Sequence, residues 1–247
     1  MLVVFLSLLG CAAPIEAPTE LSALSAWLYA AHDDEESLSV GLDSLRGWLD
    51  DPPEDGYLLA PLAAGDLDSI SHPGRDPGDC IGIAISSQSP FSPAAHVELM
   101  LLEDLTPISP TAERFDRTFT TDPGCFRDGC ETLETVNDIF RSNLLMSMGF
   151  TIYKDHRRVT LPDGSEALVA RGWMAESAHG EDGNNHLWQS YELDVWLPSS
   201  DGSETTRMMA MWSEGEYSGV SDDLAISLLR MGLRDALEAQ DEYLTAR

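Results

Sequence analysis

"SYELDVWLPSSDGSETTRMMAMWSE", residues 190 to 214, sets Tyr191, Leu193, Val195 and Leu197 in alternation with Glu192, Asp194 and Trp196. A period of two is the signature of a strand, because successive side chains point to opposite faces. Asp201-Gly202 divides the stretch, and an Asp-Gly pair supplies the positive φ angles that tight hairpins need. The reading is an antiparallel hairpin with one apolar and one half-polar face, as in a sheet covered on one side. "RRVTLPDGSEALVARGWM", residues 157 to 174, repeats the design around Asp163-Gly164.

Downstream, "SDDLAISLLRMGLRDALEAQDEYL" starts with Ser221 as a helix cap, followed by Asp222 and Asp223 at the positive end of the helix dipole. Ile226, Leu229, Leu233 and Leu237 then form a stripe. A long helix over residues 221 to 245 lies across the sheet. Upstream, "CIGIAIS" at 80 to 86 alternates, and "ERFDRTFTTD" does so less strictly. "HVELMLLEDL" fits a strand or a short helix, and "ETLETVNDIFRSNLLMSMGFTIY" is long enough for two elements.

Toward the start, Leu21, Leu24 and Leu28, then Leu38, Leu42, Leu45 and Leu49, recur at helical spacing and predict two amphipathic helices within residues 21 to 50. Pro52 and Pro53 stop the second. Residues 51 to 79, rich in Pro, Gly and Asp, read as irregular. The fold class is α+β: N-terminal helices, an antiparallel sheet of about five to seven strands over residues 80 to 220, and the C-terminal helix packed on it. Residues 21 to 247 read as a single domain.

A formal net charge of −29, from 43 acids against 14 bases of which one is a lysine, Lys154, is the reverse of what phosphate binding demands. Nucleic acid is therefore excluded as a partner, and cations or basic partners are favoured at encounter.

The apolar run MLVVFLSLLG at residues 1 to 10 is far shorter than the roughly 20 residues of a membrane span and reads as a signal peptide. Leu8-Leu9-Gly10-Cys11 resembles the lipobox of bacterial lipoproteins, which implies acylation of Cys11, palmitate included, after cleavage. Residues 11 to 20 become the lipidated cysteine and a Pro-punctuated tether. Several acyl chains hold a protein on a membrane, whereas one binds only marginally. The resemblance implies an extracytoplasmic, lipid-anchored protein, and Ala12 and Ala13 in place of an Asp imply an outer-membrane address in a Gram-negative bacterium. With Cys11 assigned, Cys80, Cys125 and Cys130 allow one bridge and leave one thiol. Cys125 and Cys130 in "PGCFRDGC" are the nearest pair, and a bridge from Cys80 to either is the competing connectivity.

No G-x-S-x-G, S-x-x-K, H-E-x-x-H or phosphate-binding glycine loop is present, and no cofactor is indicated. "HGEDGNNH" gathers His179, Glu181, Asp182 and His186, ligand types for transition ions, in what is more simply a polar hairpin connection. The acids Asp66 and Asp68, the run "HDDEE" at 32 to 36, and Asp222 with Asp223 fit solvated faces or caps. "KDHRR" would place Lys154, His156 and Arg158 on one strand face, either as an anion dock or as partners of cross-strand carboxylates. Met208, Met209, Met211 and Trp212 fit a core.

Helices, a meander of strands and one long terminal helix resemble, in element order over residues 80 to 245, the helix-grip arrangement of START-type lipid-transfer domains. The resemblance implies a cavity between sheet and helix, lined by Met208, Met209, Met211 and Trp212 and by the stripe from Ile226 to Leu237, that takes an apolar small molecule or lipid. A structural or interaction protein of the cell envelope is the alternative, and a hydrolase without a recognisable motif a third. A binding role is favoured over an enzymatic one.

Overall fold

The computed structural model describes residues 14 to 142, 147 to 181 and 183 to 247. Residues 1 to 10, read above as a signal peptide, and Cys11 and Asp182 lie outside the described residues. The chain runs irregularly from Pro14 to α1 (Leu21–Ala30), with Ala17 already packed against the core.

Both Asp-Gly hairpins form. β5 (Ser147–Thr160) and β6 (Glu166–Trp173) meet at Gly164, φ +83°, and β8 (His186–Pro198) and β9 (Thr205–Glu216) at Gly202, φ +73°. Tyr191 stands opposite Trp212, Leu193 opposite Ala210 and Val195 opposite Met208. With β1 (Tyr57–Leu59), β2 (Ile81–Ser89), β3 (Arg114–Phe119) and β4 (Thr132–Ser142), they build an antiparallel sheet in the order β1-β2-β9-β8-β6-β5-β4-β3, and β7 (Ala178–His179) pairs with β8.

Among the described residues the sheet has nine strands where five to seven are expected from the sequence. The surplus comes from β1, three residues inside the segment read as irregular, and β7, only two residues long. Runs that short carry no readable alternation. The ambiguous "HVELMLLEDL" is helical, as α3 (Pro93–Met100), because Pro93 suits a first helical turn. "PGCFRDGC" begins as a short helix, α4 (Pro123–Arg127), N-capped by Asp122. It is closed by a bond between Cys125 and Cys130, whose Cα atoms are 5.3 Å apart, while Cys80 is buried and free.

The period of two divides the sheet into unlike faces. On one, Tyr191, Leu193, Val195, Met208, Ala210 and Trp212 pack against the leucine stripes of α1 and of α2 (Glu35–Leu49), which is N-capped by Asp34. Trp212 donates its indole N–H to the Ala60 carbonyl at 2.9 Å, so this core buries no orphaned polar atom of that ring. On the other face lies α5 (Asp222–Thr245), capped by Ser221, with Leu233 and Leu237 against Ile83 and Ile85. The sequence pattern predicts one covered face and the structure covers both. The half-polar face looks solvated in sequence because its acids, Glu192 and Asp194, are paired with a lysine on another strand, Lys154.

Candidate functional site

Between this second face and α5 is a cavity of about 420 Å³, within the roughly 300–1,000 Å³ range of small-ligand pockets. Ile81, Met209 and Met211 line it from one half of the sheet, Phe115, Ile139 and Ile152 from the other, and Leu229 and Leu233 from α5. α3 closes one end, where Val97 and Met100 pack on Leu168, Ala170 and Trp196.

Charged side chains rise from the sheet into this apolar space. Lys154 on β5 bonds Glu192 at 2.8 Å and Asp194 at 2.5 Å, both on β8. Burial works against the Lys154 ammonium, but its two carboxylates outweigh burial and hold its pKa above the usual lysine value. Burial also pushes Asp194 up, with repulsion from Glu192. For Glu192, burial is outweighed by Lys154 and Arg141, which together hold it low. One lysine is thus shared by two acids whose carboxyls are held unequally, as two carboxylates sharing a site must be.

Arg117 on β3 is almost fully buried and donates to the Asn137 side chain at 2.9 Å and to the carbonyls of Leu99 and Met100, all neutral acceptors. Asn137 is fixed in turn by the Ile152 carbonyl at 3.1 Å. Without a counter-ion, burial draws the Arg117 pKa down to about 9. His156 donates from Nδ1 to the Leu133 carbonyl at 3.2 Å, and burial, with Arg117 and Lys154 nearby, keeps it neutral. Arg141 on β4 completes the set of basic groups lining the cavity.

α5 is pinned beyond the cavity by a separate network. Arg207 bonds Asp241 at 2.7 Å, and the Ser89 hydroxyl donates to Asp241 at 2.6 Å. His96 Nε2 lies 3.1 Å from Ser89 Oγ. A serine beside a histidine suggests a nucleophile, but here the acid binds the serine instead of orienting the imidazole, and both residues are sealed from solvent. Burial holds the His96 pKa down to about 3, so it is a neutral strut.

The residues singled out in sequence are dispersed. Lys154, His156 and Arg158 do share a face, yet Lys154 is taken by two acids, His156 is neutral, and Arg158 bonds Glu166 and the Phe126 carbonyl, so no anion dock assembles from that run. His179 and His186 face each other across β7 and β8 with Nδ1 atoms 2.8 Å apart, and His186 stacks on Trp188. Glu181 accepts from Ser147. Among the described residues no group of three or more His, Cys, Asp or Glu is placed to hold a metal. Asp66 accepts from the Ala63 amide, Asp34 caps α2, Asp33 pairs with Arg171 at 3.2 Å, and Asp222 and Asp223 open α5.

Met209 and Met211 line the cavity, whereas Met208 and Trp212 point into the opposite core. Leu229 and Leu233 line it too, while Ile226 and Leu237 pack beside it on Ile83 and Ile85. Arg117, Asn137, Arg141, Glu192 and Asp194 were not legible as a site. The available signal was their placement at alternate positions of strands, where a solvated face gives the same pattern.

No protein-family model and no curated protein matches the sequence. Solved structures that it resembles include a STAR-related lipid transfer protein from Xanthomonas axonopodis, 12% identical, covering 68% of this chain and 87% of that one, with a TM-score of 0.49. A START superfamily protein from Mycobacterium smegmatis is 10% identical, covering 67% and 97%, with a TM-score of 0.43. The human StarD13 lipid transfer and protein localization domain is 15% identical, covering 67% and 77%, with a TM-score of 0.41.

Proposed function

We propose that the protein binds an apolar small molecule or lipid between its sheet and α5, and that it does so from the extracytoplasmic side of a membrane, held by lipid on Cys11. What supports the binding reading is the cavity itself. Protein interiors pack at crystal-like density, and the opposite face of the same sheet does so, yet here about 420 Å³ between apolar walls stays open. Each methylene buried there contributes about 0.8 kcal/mol, so a chain of modest length suffices for micromolar binding.

Gly232 of α5 lines the cavity, and a Cβ placed there meets nothing within 4 Å. Gly232→Phe is therefore expected to fill the space without disturbing the helix. Native mass spectrometry and organic extraction of the full chain, purified from an oxidising compartment, should find an apolar compound that the variant lacks. Equal occupancy of both proteins, or none in either even after incubation with dodecanol, would overturn the reading. For the anchor, Cys11→Ala should move the protein from the membrane to the soluble fraction and end palmitate labelling, and unchanged partitioning would remove the lipoprotein assignment. The outer membrane is the proposed address, and density separation of the membranes tests it.

A further inference from the structure

We propose that the cavity's ligand is an amphiphile with a single oxyanion head, a long-chain carboxylate in its simplest form, and that Arg141 receives that head beside the Tyr217 hydroxyl. The inference rests on the ligand-cavity reading above and deepens it. The three basic groups on the sheet side are treated very differently. Lys154 has two carboxylates, and Arg117 has a side-chain amide and two carbonyls. Arg141 has neither. Its Nε is sealed from solvent with no hydrogen-bond partner among the described residues, and its specific contact is the Phe150 ring, 5.5 Å from the guanidinium carbon.

The acids around it are occupied or remote. Glu192 is close enough to act on Arg141 through space but spends its short contact on Lys154. Asp194 does the same, and Asp235, the acid that α5 contributes to the lining, does not register among the charges acting on Arg141. Tyr217 also lines the cavity, near enough for Arg141 to oppose the effect of burial on its phenol.

A guanidinium whose Nε is shut off from water without an anion is costly, and the group is a planar fork suited to two oxygens of one carboxylate or phosphate. Burial draws the Arg141 pKa down, as it does for a cation lacking compensation, although an arginine stays protonated at neutral pH. The apolar walls call for a chain behind the head. A small free anion would leave them empty, and the −29 charge of the whole molecule repels anions from the rest of its surface.

The test is a titration of the full chain at pH 7 with dodecanoate, dodecanol and acetate, on the wild type, Arg141→Met, Arg141→Lys, Tyr217→Phe and Gly232→Phe. Wild type should bind dodecanoate roughly ten- to hundred-fold tighter than dodecanol, the gain of a hydrogen bond to a charged group, and acetate far more weakly. Arg141→Met should bring the two chains to near-equal affinity, chiefly by weakening dodecanoate. Arg141→Lys should restore part of the preference, and Tyr217→Phe should lower it a few-fold. Equal binding of acid and alcohol by the wild type overturns the anion assignment and leaves the cavity reading standing. A preference that survives in Arg141→Met, or a variant that loses both chains alike, overturns the role of Arg141. Acetate binding as tightly as dodecanoate overturns the amphiphile, and binding of neither chain, with no difference for Gly232→Phe, brings down the cavity reading itself.

Discussion

The two faces of the sheet are made from the same strands, one residue out of step, and they are built to different ends. The face under α1 and α2 is filled: Leu24, Leu28, Leu38, Leu42 and Leu45 are fully buried against Tyr191, Val195 and Trp212. At its margin the buried Arg171 is paired with Asp33, Asp155 and Ser69. The face under α5 is hollow, and its Arg141 has no comparable partner. The filled face supplies stability. The hollow face gives up packing and admits charge, costs that a fold bears where something is to be bound.

The strongest way to break this comparison is Lys154→Met, which removes the one cation in direct contact with Glu192 and Asp194 among the described residues and leaves them only the more distant Arg141 and Arg117. Unfolding by urea at pH 7 should show a loss of about 3–5 kcal/mol. The deficit relative to wild type should narrow as pH falls, because the stranded carboxyls can then take up protons. A neutral result would mean that the hollow face is an ordinary core in which the ion pairs are dispensable.

Leu42→Ala on the filled face should cost about 2–5 kcal/mol, the range for a fully buried leucine, and should leave ligand affinity unchanged. Coupled loss of both would show that the faces do not act independently.

The pin on α5 gives the next effect. His96 has a folded pKa held down to about 3, below its unfolded value near 6.5. Its contribution is therefore fully present above pH 6.5 and is lost as pH falls toward 3. Between pH 6.5 and 5 the loss from this one residue should be about 2 kcal/mol, and His96→Leu should flatten the urea-stability profile by that amount. An unchanged slope would assign the acid sensitivity to His32 and His156, which burial also keeps neutral.

The smallest expected effect is on stability in Gly232→Phe, a gain of up to about 0.5 kcal/mol, because phenylalanine is a better helix former than glycine but a poorer one than alanine. A large loss in thermal unfolding would show that the hollow is too tight for an aromatic ring.

The elements themselves were written locally. Period-two runs around Asp163-Gly164 and Asp201-Gly202 determined two hairpins, the leucine stripes determined α1 and α2, and Ser221 with its following acids determined where α5 begins. These are near-neighbour effects, in which steric limits on φ, capping of free amides and side-chain periodicity act within a few residues. β1 and β7 escaped because strands so short are selected by the edge they pair with, not by their own pattern.

What only the tertiary structure decided is which partner each face receives. Met208 and Met209 are adjacent and chemically identical, yet one is core and the other cavity wall, because α2 and α5 arrive from opposite ends of the chain. Glu192 and Asp194 read as solvated until Lys154, two strands across the sheet, is brought over them. Arg141 reads as one arginine among thirteen until the fold sets it in the cavity wall with no acid in hydrogen-bond contact among the described residues. Charge compensation acts over a few ångströms in space and is indifferent to distance along the chain, so the amino-acid sequence determined the parts of this protein and the tertiary fold alone determined its site.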